Sequence, residues 1–163
     1  MPKILISACL LGEKVRYDGK DNLQTHARLQ AWIKAGNVVA ICPEMAGGLP
    51  TPRPPAEIQS SKTAVDILNG NAKIITDTNI DVTSQYLKGA YATLALAQKH
   101  HIHTAILKGR SPSCGSHQIY DGTFSRSLIA GMGVTTALLS QHGITVFDEM
   151  QINEALHWAE NHA

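Results

Sequence analysis

Three cysteines are the residues whose type and placement most clearly indicate chemistry. Cys9, Cys42 and Cys114 are far apart in the sequence, and the chain contains no other cysteine. Cys9 and Cys42 each end a predicted strand, and Cys114 follows a third predicted strand by six residues, in a polar turn. An odd number of cysteines cannot all pair within one chain, so a secreted disulfide scaffold is disfavoured. Thiolates that converge in space could instead bind a metal centre.

The apolar runs predict the elements that must position these thiols. Residues 4–9, 38–42, 104–108 and 144–147 read as short strands, and their continuous apolar character is typical of parallel strands covered by helices. Helical patterns lie between and after them, the longest over about 81–101. This alternation predicts an α/β, Rossmann-like, three-layer fold with a mainly parallel sheet, and we expect residues 1–163 to form a single domain.

All three cysteines fall at or beyond the carboxyl ends of predicted strands, the edge where open α/β sheets bind ligands. Three converging thiolates would leave one coordination position open, either on a [4Fe–4S] cluster or on a catalytic zinc ion. The spacing alone does not separate these two centres. Free cysteine is also among the most buried residue types, so a non-catalytic small-molecule-binding module with cysteines in its core is the third interpretation.

Polar residues near the cysteines are candidates for catalysis and substrate binding. Glu44 lies two residues after Cys42 and could act as a general acid/base. Ser111 and Ser113 could hydrogen-bond a substrate or stabilise the turn that contains them. Lys108, at the end of the third predicted strand, could stabilise negative charge on a substrate.

Two intervening segments carry predictions of their own. Residues 43–55 are so rich in proline that we expect no regular element there, but a rigid excursion over the site. The apolar runs 64–68 and 72–75 flank Asn69-Gly70-Asn71, a pattern that predicts a β-hairpin.

The overall charge limits the choice of partner. Fourteen Lys and Arg oppose thirteen Asp and Glu, a formal charge of +1, so we expect no strong field for a polynucleotide or an anionic membrane. No apolar run approaches the ~18 residues of a membrane span. We therefore expect a cytoplasmic protein, in a compartment where thiols stay reduced.

Four motifs, in order, resemble those of the thiouracil desulfidase family, a bacterial family. They are Ser7-Ala8-Cys9 within residues 7–19, Cys42-Pro43-Glu44 within 42–57, Ser111-Pro112-Ser113-Cys114 within 107–115, and Tyr120-Asp121-Gly122 within 119–124. The resemblance extends over residues 3–149, nearly the whole chain.

The resemblance implies an activity and a cofactor. It implies a [4Fe–4S] cluster held by Cys9, Cys42 and Cys114, whose remaining iron binds the sulfur of a thiolated pyrimidine. Water would replace that sulfur without net redox change, and sulfide would leave. Glu44 would shuttle protons, and Ser111 would contact the substrate or the bound sulfur. Members with an additional domain act on thiolated tRNA, so for this chain we expect thiouracil or 4-thiouridine instead. The sequence leaves the oligomeric state open.

Overall fold

A four-stranded parallel sheet forms the centre of the molecule. The computed structural model describes residues 2–162. The strands of the central sheet are β1 (Ile4–Ser7), β2 (Val38–Ile41), β5 (Thr104–Ile106) and β8 (Thr145–Phe147). Their order in the sheet is β2-β1-β5-β8, and every neighbouring pair is parallel. The predicted α/β class with a mainly parallel sheet is confirmed.

Helices cover both faces of this sheet and give it two cores. Helices α1 (Ala27–Lys34) and α6 (Ile152–Asn161) pack with Ile4, Ile6 and Ile106 on one face. Helices α4 (Thr83–Lys99) and α5 (Val134–Gln141) pack with Leu5, Ala105 and Leu107 on the other. Consecutive strand residues point to opposite faces, so both faces must be apolar, which explains the unbroken apolar runs.

Two separate two-stranded antiparallel sheets accompany the central sheet. One pairs β3 (Ala56–Ile58) with β4 (Ile74–Thr76), and the other pairs β6 (Gln118–Tyr120) with β7 (Leu128–Ala130). None of the helices within residues 2–162 combines the length and the apolar character that crossing a lipid bilayer requires.

The predicted hairpin around Asn69-Gly70-Asn71 is wrong. Residues Ala64–Leu68 form helix α3, and the second run, which becomes β4, pairs with β3 instead. A capping box starts the helix: Asp66 N–H donates to the Thr63 hydroxyl, and Thr63 N–H donates to the Asp66 carboxylate. The Asn-Gly dipeptide ends a helix here, where Gly70 takes a left-handed φ of 78°.

The expectation of no regular element in residues 43–55 also needs correction. Pro43–Ala46 form a short helix, α2, with proline at its first position, where the missing N–H costs nothing. Helix α2 lies directly on α4 through two glycines. A Cβ atom on Gly89 would lie 1.9 Å from the Pro43 carbonyl oxygen, and one on Gly47 would lie 1.9 Å from that of Gln85. This close contact of two backbones fixes where the segment after β2 sits.

The contact between α2 and α4 predicts an inverted effect of Gly89→Ala. In an ordinary helix interior, replacing glycine with alanine raises the free energy of unfolding by about 1 kcal/mol. Here the new methyl group would overlap the Pro43 carbonyl, so we expect a loss of about 1–3 kcal/mol in the free energy of unfolding. Urea denaturation measures it, with Lys88→Ala, an exposed position on the same helix, as the control. A stabilised Gly89→Ala variant would contradict the observed packing.

Candidate functional site

A cavity of about 580 Å³ opens at the carboxyl ends of β1, β2 and β5. Cys9 enters its wall from the turn after β1, Cys42 from the residue that follows β2, and Cys114 from the loop beyond β5. Its wall also includes Ser7, Val15, Arg16, Tyr17, Glu44, Arg53, Glu57, Asp77, Tyr86, Lys108, Arg110, Ser111, Tyr120, Phe124 and Arg126. The predicted convergence of the three thiols on one edge of the sheet is thus present in the structure.

The three thiols are unpaired and withdrawn from water. Cys9 and Cys114 are buried and Cys42 is half-buried, and none of them forms a disulfide. Burial, followed by the charge of Cys42, raises the pKa of Cys9 to about 11. Burial is also the main cause that raises the pKa values of Cys42 and Cys114. The metal-free protein therefore keeps neutral thiols at neutral pH, and a bound metal would have to displace their protons.

This donor set fits an iron–sulfur cluster. Thiolate sulfur is the soft ligand that such clusters use, and three thiols in one cavity leave room for a fourth, exogenous ligand. Among residues 2–162, no three His, Cys, Asp or Glu side chains lie close enough together to hold one metal ion. A cluster does not need that closeness, because each of its thiolates binds a different iron.

Glu44 is held at both carboxylate oxygens. The Tyr86 hydroxyl donates to Oε1 at 2.7 Å, and Arg53 donates to Oε2 through Nε at 3.1 Å and through a short contact from Nη2. Arg53 is only 7% exposed and also donates to the carbonyl oxygens of Val15 and Pro50. Burial, followed by the charge of Glu44, raises the pKa of Tyr86, so its phenol stays protonated and remains a donor. Glu44 is thus fixed in one orientation beside Cys42.

The Ser111 side chain has one hydrogen-bonding group that no protein atom among residues 2–162 uses, its O–H donor. Its Oγ accepts from the backbone N–H groups of Ser113 at 3.0 Å and Cys114 at 2.8 Å. A hydroxyl has two acceptor lone pairs and one donor hydrogen, so only the O–H group is left. Because Ser111 lines the cavity, this hydroxyl can donate to an acceptor bound there.

Lys108 and Ser113 occupy different environments. Lys108 lines the cavity, and its Nζ lies 3.4 Å from Glu149 Oε2 and donates to the Gly109 carbonyl. Ser113 is 1% exposed, and its hydroxyl pairs with that of Thr135 at 2.7 Å. Among the predicted site residues, Ser113 alone is absent from the cavity wall: it lies behind the Cys114 loop, beside α5.

The structure adds cavity residues that sequence reasoning missed. The cavity wall contains further cationic side chains besides Lys108: Arg16, Arg110 and Arg126. The formal charge of +1 gave no indication of this local cluster. Arg53 lies within one of the recognised motifs, which was a usable signal, whereas nothing in the spacing indicated Tyr86. Four of the six Phe and Tyr residues line the cavity: Tyr17, Tyr86, Tyr120 and Phe124. Aromatic faces at this density suit a flat ring.

Comparisons with known proteins find a matching family and chains of similar sequence and fold. The model of the 2-thiouracil desulfurase family matches residues 4–151. The uncharacterized protein YbbK of Bacillus subtilis (strain 168) is 46% identical over 156 residues, which cover 94% of this chain and 99% of YbbK. The solved structure of the [4Fe-4S]-dependent thiouracil desulfidase TudS is 44% identical, with a TM-score of 0.90 over 99% of both chains.

The raised pKa of Cys9 predicts how the stability of the metal-free protein depends on pH. The folded state binds the proton of Cys9 more tightly than the unfolded state, in which the pKa is about 8.5. The resulting stabilisation is complete below the unfolded pKa and is lost as pH rises through about 11. We expect the urea midpoint of the wild type to fall relative to that of Cys9→Ala over this range. Parallel pH profiles would contradict the assignment.

Proposed function

The chain belongs to the 2-thiouracil desulfurase family, and from that membership we propose that it is a [4Fe–4S]-dependent desulfidase that replaces the sulfur of a thiolated pyrimidine with oxygen. The observation that carries the proposal is the meeting of three cysteines without disulfide bonds, two buried and one half-buried, with Glu44 and Ser111 on the wall of one cavity. Such thiols need a reducing compartment, so the proposal includes a cytoplasmic location.

Cys9, Cys42 and Cys114 would hold the cluster. When bound through three thiolates, a [4Fe–4S] cluster supplies an iron with an open position, which suits the soft sulfur of a thiocarbonyl group. The chain itself must bring the ring carbon, a water molecule and a proton carrier to that position.

Glu44 is the proton carrier in this proposal. The net reaction exchanges C=S for C=O: water supplies the oxygen and two protons, the sulfur leaves as hydrogen sulfide, and no electrons are gained or lost. The Glu44 carboxylate takes a proton from the attacking water and delivers it to the departing sulfur. Tyr86 and Arg53 hold the carboxylate in place during both transfers.

Ser111 and the wall of the cavity orient the substrate. The remaining O–H of Ser111 donates to the sulfur or to the neighbouring ring oxygen, because its lone pairs are engaged by the backbone. The aromatic side chains flank the ring, and Lys108 with the three arginines attracts any anionic group that the substrate carries. A cavity of about 580 Å³ matches a base, nucleoside or nucleotide in size.

Anaerobic reconstitution tests the cofactor. We expect a brown protein with about four irons and four acid-labile sulfides per chain, which releases sulfide from 4-thiouridine or thiouracil. Cys42→Ser should lose most of the iron and the activity, whereas Ser140→Ala, an exposed position on α5, should keep both. A colourless protein without iron would contradict the proposal, and one zinc per chain would favour a zinc hydrolase.

Glu44→Gln tests the proton carrier separately from the cofactor. The amide keeps the shape and can still accept from Tyr86 or Arg53, but it cannot carry a proton at neutral pH. We expect the iron content to be unchanged and kcat to fall by about a hundredfold or more. Tyr86→Phe, which removes one positioning contact, should reduce kcat less. Unchanged kcat in Glu44→Gln would exclude Glu44 as the proton carrier.

A further inference from the structure

Ser7 carries a buried hydroxyl on the cavity wall that the reaction above does not use. It is the last residue of β1 and is 3% exposed. Its Oγ accepts from the backbone N–H of Lys108 at 2.9 Å and donates to Cys114 Sγ at 3.9 Å. A hydroxyl carries one hydrogen, so that hydrogen is committed to the sulfur. Ser7 thus joins the end of β1 to a cysteine 107 residues further along the chain.

The backbone of Cys114 is held by groups other than Ser7. Its N–H donates to Ser111 Oγ at 2.8 Å, and its carbonyl accepts from the Thr136 hydroxyl at 2.9 Å. These two bonds anchor the loop on both sides of the peptide plane of Cys114. A change at Ser7 leaves both anchors intact, so the contact of Ser7 acts on the sulfur and not on the loop that carries it.

Ser113 is a second hydroxyl beside Cys114, and it differs from Ser7 in its other partner. Burial raises the pKa of Cys114, and the Ser113 hydroxyl acts against that rise. The same hydroxyl pairs with that of Thr135 at 2.7 Å, so its hydrogen has an oxygen acceptor besides the sulfur. The hydrogen of Ser7 is directed to the sulfur alone. Ser7 is therefore the hydroxyl whose donor function can be tested cleanly.

The contact between Ser7 and Cys114 is suited to a thiolate. At 3.9 Å the hydroxyl meets a neutral thiol, which is a weak acceptor. Loss of the thiol proton makes the sulfur a charged acceptor, and hydrogen bonds to charged groups are shorter and roughly twice as strong. Because a metal centre binds cysteine as thiolate, the Ser7 donor gains strength in the metal-loaded protein.

We propose that Ser7 is a positioning residue of the cluster site, whose hydroxyl donates to the Cys114 thiolate and reduces the negative charge that this sulfur gives to its iron. This inference rests on the proposed function. Groups that hydrogen-bond to a metal ligand contribute to metal affinity, and hydrogen bonds to the sulfurs of a cluster help to set its reduction potential. Ser7 would thus favour retention of the cluster and make its iron a better acceptor for the soft sulfur of a substrate.

Four variants separate the donor from the structural role of Ser7. Ser7→Ala removes the donor but also takes the acceptor from Lys108 N–H. Ser7→Thr and Ser7→Val share one shape and differ in the hydroxyl, so this pair tests the donor even where Ser7→Ala is too unstable to load. Thr93→Val is the matched control, because it deletes a fully buried hydroxyl that donates to the Gly89 carbonyl at 2.7 Å within α4. Thermal unfolding measures the structural cost of each change.

The measurements are made on the cluster-loaded proteins without air. We expect Ser7→Ala and Ser7→Val to have a lower midpoint potential than the wild type, because a donor stabilises the more negative, reduced cluster. They should also release iron to a chelator about tenfold faster. Ser7→Thr and Thr93→Val should match the wild type in both.

Resonance Raman spectra report on the hydrogen bond directly. Transfer of the wild type from H2O to D2O should shift an iron–thiolate stretching band, because the Ser7 hydroxyl hydrogen exchanges with solvent. This isotope shift should shrink in Ser7→Ala and Ser7→Val and persist in Ser7→Thr. A change in the electrostatic field around Lys108 would not produce this pattern.

Two results would overturn the inference: equal potentials and release rates in Ser7→Ala and the wild type, or a Ser7→Thr variant that behaves like Ser7→Val. A wild type whose cluster depends on the Ser7 hydroxyl but which releases no sulfide from thiouracil or 4-thiouridine would contradict only the proposed activity. An active desulfidase whose cluster is indifferent to the hydroxyl would contradict only the assignment of Ser7. A protein that assembles no cluster would overturn both.

Discussion

The burial of three thiols around one cavity is the constraint on which the rest of the structure depends. A thiol withdrawn from water resists ionisation, and the pKa values of Cys9, Cys42 and Cys114 are all raised. In the proposed function, a bound cluster compensates the loss of solvation of the three thiolates. The fold delivers three distant segments to one cavity, and the parallel register of β1 with β2 and β5 places them there.

A second set of contacts joins those segments to the rest of the wall. Arg53 reaches from the proline-rich segment to Glu44 and to the Val15 carbonyl, so one guanidinium links the loops that follow β1 and β2. The contact of Gly89 with Pro43 presses the same loop onto α4. Ser7 completes the set, since its hydroxyl accepts from Lys108 N–H and lies 3.9 Å from the Cys114 sulfur. Hydrogen bonds to backbone groups thus fix the orientation of Arg53 and Ser7 at the cavity wall.

Local sequence patterns succeeded where one rule decided the outcome. Continuous apolar runs required burial on both faces, which gave the parallel sheet and the edge where the cysteines meet. The patterns misled where two local rules competed, as at Asn69-Gly70, where the capping box of Thr63 and Asp66 prevailed over the hairpin signal. Sequence position also failed to separate the two serines of the Cys114 loop. Ser111 lines the cavity, whereas Ser113 pairs with Thr135 in the interior.

The sequence by itself determined the fold class, the convergence of the three cysteines and, through its motifs, the family. It could do so because strand periodicity and motif order are local properties of the chain. Only the tertiary structure decided which groups surround the thiols. The pairing of Glu44 with Tyr86, the gathering of four arginines under a formal charge of +1, and the hydrogen bond from Gly122 N–H to Glu57 all join residues distant in sequence. Such pairings depend on where elements pack, a property that no window of sequence contains.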